Sequence, residues 1–230
     1  MINLKSEWIV DNLRIVIFGD DFIPFKEKET SRFLTENHIS ASIKQDENGE
    51  SVIKEATSLK DNSVFSLSYF EKQNIIEFSL NIDKENKEGL LDKFFTEIVR
   101  LVNKFYYNNS FKVKRLGVVS LFYQDNFNAV KNAESTSFLK DYDDFDIRLN
   151  KSSTFNEIKI NQAVSLNSSE RLFLKIEEPF NIPVPNMKKV VELVIDVNTD
   201  VENGNIEDFS TTLVKLAELS NQLIDNGGGI

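Results

Sequence analysis

The sequence predicts an α+β protein made of two pseudo-repeated units, each consisting of antiparallel strands followed by a long packing helix. The main observation is internal similarity: residues 75–83 align without a gap to residues 190–198, and only Ser79 against Val194 changes character. In both segments apolar and polar residues alternate, as they do in half-buried strands. Each segment also precedes a run with apolar residues at helical spacing. Two half-length units are the simplest explanation of these observations.

The units are predicted to divide into residues 1–108 and residues 109–230. A chain of 230 residues with 40% apolar content is long enough to bury a substantial core, and it is near the upper size of one compact unit. Charged residues at 28% and aromatic residues at 11% are typical of a folded chain. We therefore expect both units to pack into one compact domain.

The first unit contains the clearest strand signals in the chain. Residues 64–70 and 74–82 predict a hairpin with a short polar connection. Residues 12–18 predict an earlier strand, which ends where Gly19 opens a turn-forming run. A helix is predicted over residues 87–106, because leucine, phenylalanine, isoleucine and valine form a broad apolar stripe there. We expect about four strands in each unit.

The second unit is predicted to contain strands over residues 112–123, 155–166, 171–177 and 188–198, and a final helix over residues 206–224. A proline-rich loop is expected between the last two strands, since proline lacks the N–H that a central strand needs. A long polar connection is predicted before the strand that starts at residue 155.

Six residues of that connection form a segment with four carboxylates and two aromatic rings. Long polar loops are exposed and often carry binding residues. The segment lacks the glycine and the terminal glutamate of an EF-hand calcium loop, so we predict contact with a protein partner and not a metal site. The residues of this acidic segment are Asp141, Tyr142, Asp143, Asp144, Phe145 and Asp146.

Composition limits the environment and the partners. The chain has no cysteine, which excludes a disulfide framework and a cysteine nucleophile. The amino terminus lacks the basic and apolar regions of a signal peptide, and no apolar run approaches the ~20 residues of a membrane span. We therefore expect a cytoplasmic protein that does not bind membranes. The net charge of −10 opposes nonspecific binding to nucleic acid.

The sequence predicts no catalytic residue, metal ligand set or cofactor. His38 is the single histidine, and without cysteine it leaves no donor set for structural zinc. No serine nucleophile elbow, phosphate-binding loop or dinucleotide fingerprint is present. We expect His38 to be an ordinary loop or strand-end residue.

Paired carboxylates offer the one enzymatic alternative. Glu77 and Glu192 occupy matching positions in the two similar segments. If they converged with Asp196 in a cleft, they would suit a metal-dependent hydrolase. The alternation of apolar and polar residues, however, predicts that both glutamates face solvent.

Two further segments resemble a sporadically distributed, uncharacterised bacterial protein family of comparable size. They are Arg115-Leu116-Gly117-Val118 in mid-chain and the aliphatic run at residues 193–198 before the final helix. The resemblance covers the second half of the chain, and it implies no known reaction.

The leading hypothesis is a non-enzymatic interaction protein or accessory subunit of a bacterial assembly, with another protein as its partner. An exposed apolar patch beside the acidic segment would support it. The alternative is a binder of a small apolar ligand, held in a cavity lined by Phe78, Phe94 and Phe95. Homo-oligomerisation stays open at this point.

Overall fold

The structure is a computed structural model of the chain. It describes residues 8–20, 27–37, 42–45, 51–54, 57–58, 64–85, 89–109, 111–132, 136, 139–177 and 182–226. Among these residues no helix is long and apolar enough to cross a membrane.

Ten strands and four helices are present in the described residues. The strands are β1 (Ile9–Gly19), β2 (Ser42–Gln45), β3 (Ser51–Lys54), β4 (Thr57–Ser58), β5 (Val64–Phe70), β6 (Ile75–Glu85), β7 (Val113–Gln124), β8 (Asp146–Phe155), β9 (Ile158–Glu177) and β10 (Ile182–Thr199). The helices are α1 (Glu27–Glu36), α2 (Leu90–Asn109), α3 (Phe127–Asn132) and α4 (Phe209–Asp225).

Eight of these strands form one antiparallel sheet in the order β4-β5-β6-β1-β7-β10-β9-β8. Strands β2 and β3 form a separate hairpin. Alternate residues of β1 show which face is covered: Leu13, Ile15 and Ile17 are buried, whereas Arg14 and Val16 are only partly buried. Helices α2 and α4 contact each other and lie on the face of the buried residues. The opposite face carries no helix of the described chain.

The prediction of two pseudo-repeated units of strands and helix is wrong, although the α+β class is confirmed. The central strands β1 and β7 pair with each other, so strands from both halves belong to one continuous sheet. The elements also differ in number and length between the halves: β9 and β10 have 20 and 18 residues, whereas β5 and β6 have 7 and 11. Residues 75–83 and 190–198 are similar because both are strands with one face under a helix. The division at residue 108 stays a prediction.

The strongest local signals gave the right elements. The hairpin of β5 and β6 has the predicted strands, joined by a 3₁₀ turn at Glu71–Gln73. Helix α2 starts at Leu90 and follows the predicted apolar stripe. Helix α4 starts at Phe209, because the Asp208 side chain accepts a hydrogen bond from the Thr211 N–H at 3.1 Å and caps the first turn.

The prediction of a long loop ending near residue 154 is wrong, because β8 occupies residues 146–155. Strand β8 lies at the edge of the sheet, and most of its residues are exposed. An exposed strand needs no apolar face, and in β8 the alternation is limited to Ile147 and Leu149 before a polar run at residues 150–154, so the strand signal is weak. The predicted proline-rich loop is also wrong in part, since residues 182–187 belong to β10.

A two-residue turn joins β8 to β9. Asn156 and Glu157 have φ values of 46° and 67°, and Phe155 pairs with Ile158 across them. Positive φ at both central residues is the signature of a type I′ turn, which suits the twist of a hairpin. Asparagine tolerates this conformation, whereas glutamate is strained in it.

Replacing Glu157 by glycine should therefore stabilise the protein. Glycine has no Cβ to clash at positive φ, and we expect the free energy of unfolding to rise by about 1 kcal/mol in urea titrations. Glu218→Gly is the matched control: it lies inside α4, where glycine costs about 1 kcal/mol. A loss of stability in Glu157→Gly would contradict the assigned turn.

Candidate interaction surface

The β9–β10 hairpin extends beyond its neighbours in the sheet. Pairing of β7 with β10 ends at Gln124 and Val191, and pairing of β8 with β9 ends at Asp146 and Asn167. Residues 169–177 and 182–190 then pair only with each other among the strands described. We call this two-stranded projection the arm.

Three large apolar side chains are exposed on one face of the arm. Leu172, Leu174 and Met187 have 60%, 67% and 56% of their surface accessible. Leu172 pairs directly with Met187, and Leu174 follows two residues later on the same face. We call these three residues the apolar ridge. Exposed apolar residues that cluster in this way are typical of binding surfaces.

The apolar ridge continues the covered face of the sheet. The register of β9 and β10 runs without a shift from Leu193↔Leu166, which are buried, to Met187↔Leu172. Side chains an even number of residues apart share a face. The ridge is therefore a part of the core face that no described helix covers.

The acidic segment lies at the base of this ridge. Asp144 and Lys189 form an ion pair of 2.7 Å, and Lys189 is two residues from Met187 on the same face. The Phe145 ring stacks on the Phe127 ring, with 5.9 Å between the ring centroids. The backbone N–H of Phe145 donates to Ser168 Oγ at 3.1 Å. These contacts fix the acidic segment beside the arm.

The six predicted partner-binding residues have different surroundings. Asp141, Tyr142, Asp143 and Asp144 are exposed, and the Tyr142 ring is 58% accessible. The hydrogen bond from Lys189 lowers the pKa of Asp144, so that carboxylate stays ionised. Phe145 is half-buried and serves as an anchor. Asp146 is exposed at the first position of β8.

The border of the ridge is negatively charged. Exposed Glu170 pairs across the arm with Lys189, and Asp141 and Asp143 lie in the adjoining acidic segment. Lys189 is already engaged by Asp144. The four carboxylates of Glu170, Asp141, Asp143 and Asp144 outnumber the two lysines at this border, Lys140 and Lys189. This charge balance favours a partner with lysine or arginine around its apolar contacts.

An arginine on the opposite face holds the arm in position. Arg171 Nε donates to Glu192 Oε1 at 2.7 Å, and its Nη2 donates to Asp11 Oδ2 at 2.8 Å. The guanidinium also lies 4.4 Å from the centre of the Tyr123 ring. Its planar fork suits two carboxylates and an aromatic face at once. Arg171 thereby joins the base of the arm to β1, β7 and β10.

The same network extends to β6 through Tyr123. Its hydroxyl donates to Asp83 Oδ1 at 2.8 Å, and burial, followed by this hydrogen bond, raises the pKa of Tyr123 well above its usual value. Burial alone lowers the pKa of Arg171, but the hydrogen bonds to Asp11 and Glu192 outweigh it and raise the pKa overall. Arg171 is therefore charged and Tyr123 neutral at physiological pH.

The carboxylates of the hydrolase alternative do not come together. Strands β1 and β7 separate β6, which carries Glu77, from β10, which carries Glu192, so three strand spacings of about 4.8 Å lie between them. Glu192 accepts hydrogen bonds from Arg171 and Asn167. Asp196 accepts from Asn198 at 2.9 Å. Among the described residues no group of three or more metal-binding side chains occurs.

The residues of the apolar-ligand alternative are buried in the core. Phe78, Phe94 and Phe95 are at most 4% accessible. The Phe78 ring packs edge-on against Phe105 at 5.2 Å, so another side chain contacts it from the helix layer. This alternative stays a prediction.

His38 lies outside the described residues.

Sequence reasoning missed the ridge and the Arg171 clamp. Leu172 and Leu174 alternate with Arg171 and Phe173, which indicates a strand here. That pattern normally indicates a buried apolar face, and it does not show that the covering helix ends before the strand does. The prediction of two separate strands at residues 155–166 and 171–177 is wrong, however, because β9 runs without a break from Ile158 to Glu177.

No protein-family model matches the chain, and no curated protein matches it. The resemblance to an uncharacterised bacterial family stays a prediction.

Removing the Arg171 side chain should destabilise the protein, because Asp11 and Glu192 lose their common partner. These groups are partly exposed, so we expect a loss of about 2 kcal/mol in the free energy of unfolding of Arg171→Ala, below the range for fully buried pairs. Arg171→Lys should recover only part of it, because lysine cannot supply the planar fork.

The control for this prediction is Arg32→Ala. Arg32 pairs with Glu36 on the exposed surface of α1, and such pairs contribute little to stability because solvent screens them. If both alanine variants lost the same free energy of unfolding in urea titrations, Arg171 would not act as a clamp.

Proposed function

We propose that this chain is a non-enzymatic interaction protein, an accessory subunit that binds another protein of a bacterial assembly. The exposure of Leu172, Leu174 and Met187 on a projecting arm carries this proposal. The adjacent acidic segment meets the condition set by the sequence, namely an apolar patch that borders residues 141–146.

Burial of the ridge supplies the favourable free energy of binding. Covering a large aliphatic side chain completely is worth about 1.5–3 kcal/mol, and the three side chains are already partly covered in the free protein. Association also costs translational and rotational freedom. The ridge alone therefore supports modest affinity, and further contacts around it must add to it.

The acidic segment contributes orientation and selectivity. Exposed carboxylates at the rim of an interface speed encounter with a basic surface and add little net affinity at physiological salt. The partner that fits this surface presents apolar side chains flanked by lysine or arginine. Tyr142 adds a large exposed ring on the acidic side, and tyrosine is enriched at protein interfaces.

The test is affinity purification of the tagged chain from its source cells, with nuclease, followed by mass spectrometry. We expect a stoichiometric protein partner. Leu172→Ser combined with Leu174→Ser should abolish its recovery, because the apolar contact is lost. Asp141→Asn combined with Asp143→Asn should weaken recovery at low salt and have little effect at high salt.

Val214→Ser is the matched control, since Val214 is an exposed apolar residue on α4, away from the arm. It should leave partner recovery unchanged. Recovery of the chain alone, or retention of the partner by the double serine variant, would reject the proposal.

A further inference from the structure

The exposed edges of the sheet differ in how they are protected from pairing with another strand. At one end β5 is covered by β4, and the β2–β3 hairpin contacts it as well. On the arm, β10 carries Pro183 and Pro185, where no other described strand pairs with its outer edge. Proline has no N–H to offer to another strand, so it blocks pairing at an edge.

In the described part of the chain, the outer edge of β8 has neither a covering strand nor a proline. Within the described residues no strand pairs with it. Its ten residues contain no proline, and their register with β9 runs from Asp146↔Asn167 to Phe155↔Ile158 without a bulge. A long, regular edge of this kind is a template for another strand.

The turn geometry identifies the backbone groups that β8 offers. The two-residue turn makes Phe155↔Ile158 a hydrogen-bonded pair, and Ser168 N–H donates to Phe145 O at the other end. Hydrogen-bonded and non-hydrogen-bonded pairs alternate in an antiparallel ladder. Odd-numbered residues of β8 therefore bond to β9, and the N–H and C=O groups of Arg148, Asn150 and Ser152 point away from it.

We propose that the outer edge of β8 pairs with β8 of a second copy of this chain, antiparallel and about a twofold axis at Asn150. This register sets Arg148 against Ser152, Asp146 against Thr154 and Leu149 against Lys151 of the second copy. No like charges face each other, whereas centring on Arg148 would oppose two arginines. The register also overlaps almost the whole of β8.

A second copy can pair along almost the whole of this edge, because its outward-facing residues match and no like charges meet in this register. Each outward-facing residue meets another outward-facing residue, so every such pair exchanges two backbone hydrogen bonds. On the helix-side face, Leu149 is 50% exposed, and it would pack on the aliphatic stem of Lys151 from the second copy. Twofold symmetry is the commonest arrangement of homo-oligomers.

The first test is analytical ultracentrifugation of the full chain over a concentration series. We expect a reversible monomer–dimer equilibrium with a dissociation constant on the order of micromolar, because a single edge-strand pair is a small interface. Asn150→Pro should weaken it by at least about tenfold, since it removes an outward N–H at the axis. Asn150→Thr keeps the N–H and should dimerise like the unmodified chain.

Charge variants test the register without changing the backbone. Because of the twofold symmetry, residue 149 faces Lys151 of the other copy at two places in the dimer. Leu149→Lys puts a lysine at each of these places, and Leu149→Glu puts a carboxylate there. Relative to Leu149→Gln, the glutamate variant should dimerise roughly threefold to tenfold more tightly and the lysine variant correspondingly less tightly at low salt. Equal dimerisation of the three variants would overturn the proposed register.

Amide hydrogen exchange gives an independent measurement. With rising protein concentration, protection should increase at the amides of Arg148, Asn150 and Ser152, while Leu149 and Lys151 stay protected throughout by β9. A monomer at all concentrations, or outward amides that exchange fast in the dimer, would overturn the proposal. The Leu172→Ser and Leu174→Ser changes should leave dimerisation intact, so failure here is distinguishable from failure of the arm as a partner site.

Discussion

The structure depends on a mismatch between one long sheet and the two helices that cover it. Eight strands at about 4.8 Å spacing span roughly 34 Å, whereas two packed helices of about 10 Å diameter cover roughly 20 Å. Helix α4 contacts β7 and β10, and α2 contacts β1 and β6. The helices therefore cover the four central strands. No described helix covers the outer edge of β8, most of the arm or the opposite face of the sheet.

The uncovered regions are stabilised by different interactions. At the base of the arm, Arg171 joins Asp11 and Glu192 over the Tyr123 ring. These polar contacts hold the arm in place where no described helix packs on it. On the covered side, Phe127 stacks on Phe145 and extends the core to the acidic segment. Beyond these contacts the ridge has no described neighbour that would bury it. Its exposure follows from the length of β9 and β10, which continue past the last helix contact.

The sequence predicted those elements whose apolar periodicity is complete. The β5–β6 hairpin, α2 and α4 each bury one face, and the spacing of their apolar residues shows it. Strand β8 buries neither face fully, and apart from Ile147 and Leu149 its mostly polar composition is similar to that of a loop. The similarity of residues 75–83 to 190–198 was real, but two strands under helices need similar residues even without repetition. The acidic segment could be recognised from charge alone, whereas the ridge required the register of β9 against β10.

The ridge and the β8 edge use different physical interactions, and this permits both to act in one assembly. The ridge offers side-chain burial, and the edge offers backbone hydrogen bonds. In an antiparallel β8 pair the two Asp146 ends point in opposite directions, and each arm lies at the Asp146 end of its own copy. A twofold axis perpendicular to the sheet keeps both ridges on the same face. A dimer would thus present two ridges at a fixed separation, and a partner with two matching sites would bind it with an effective concentration set by that geometry. Modest affinity at each ridge would then be sufficient for a stable complex.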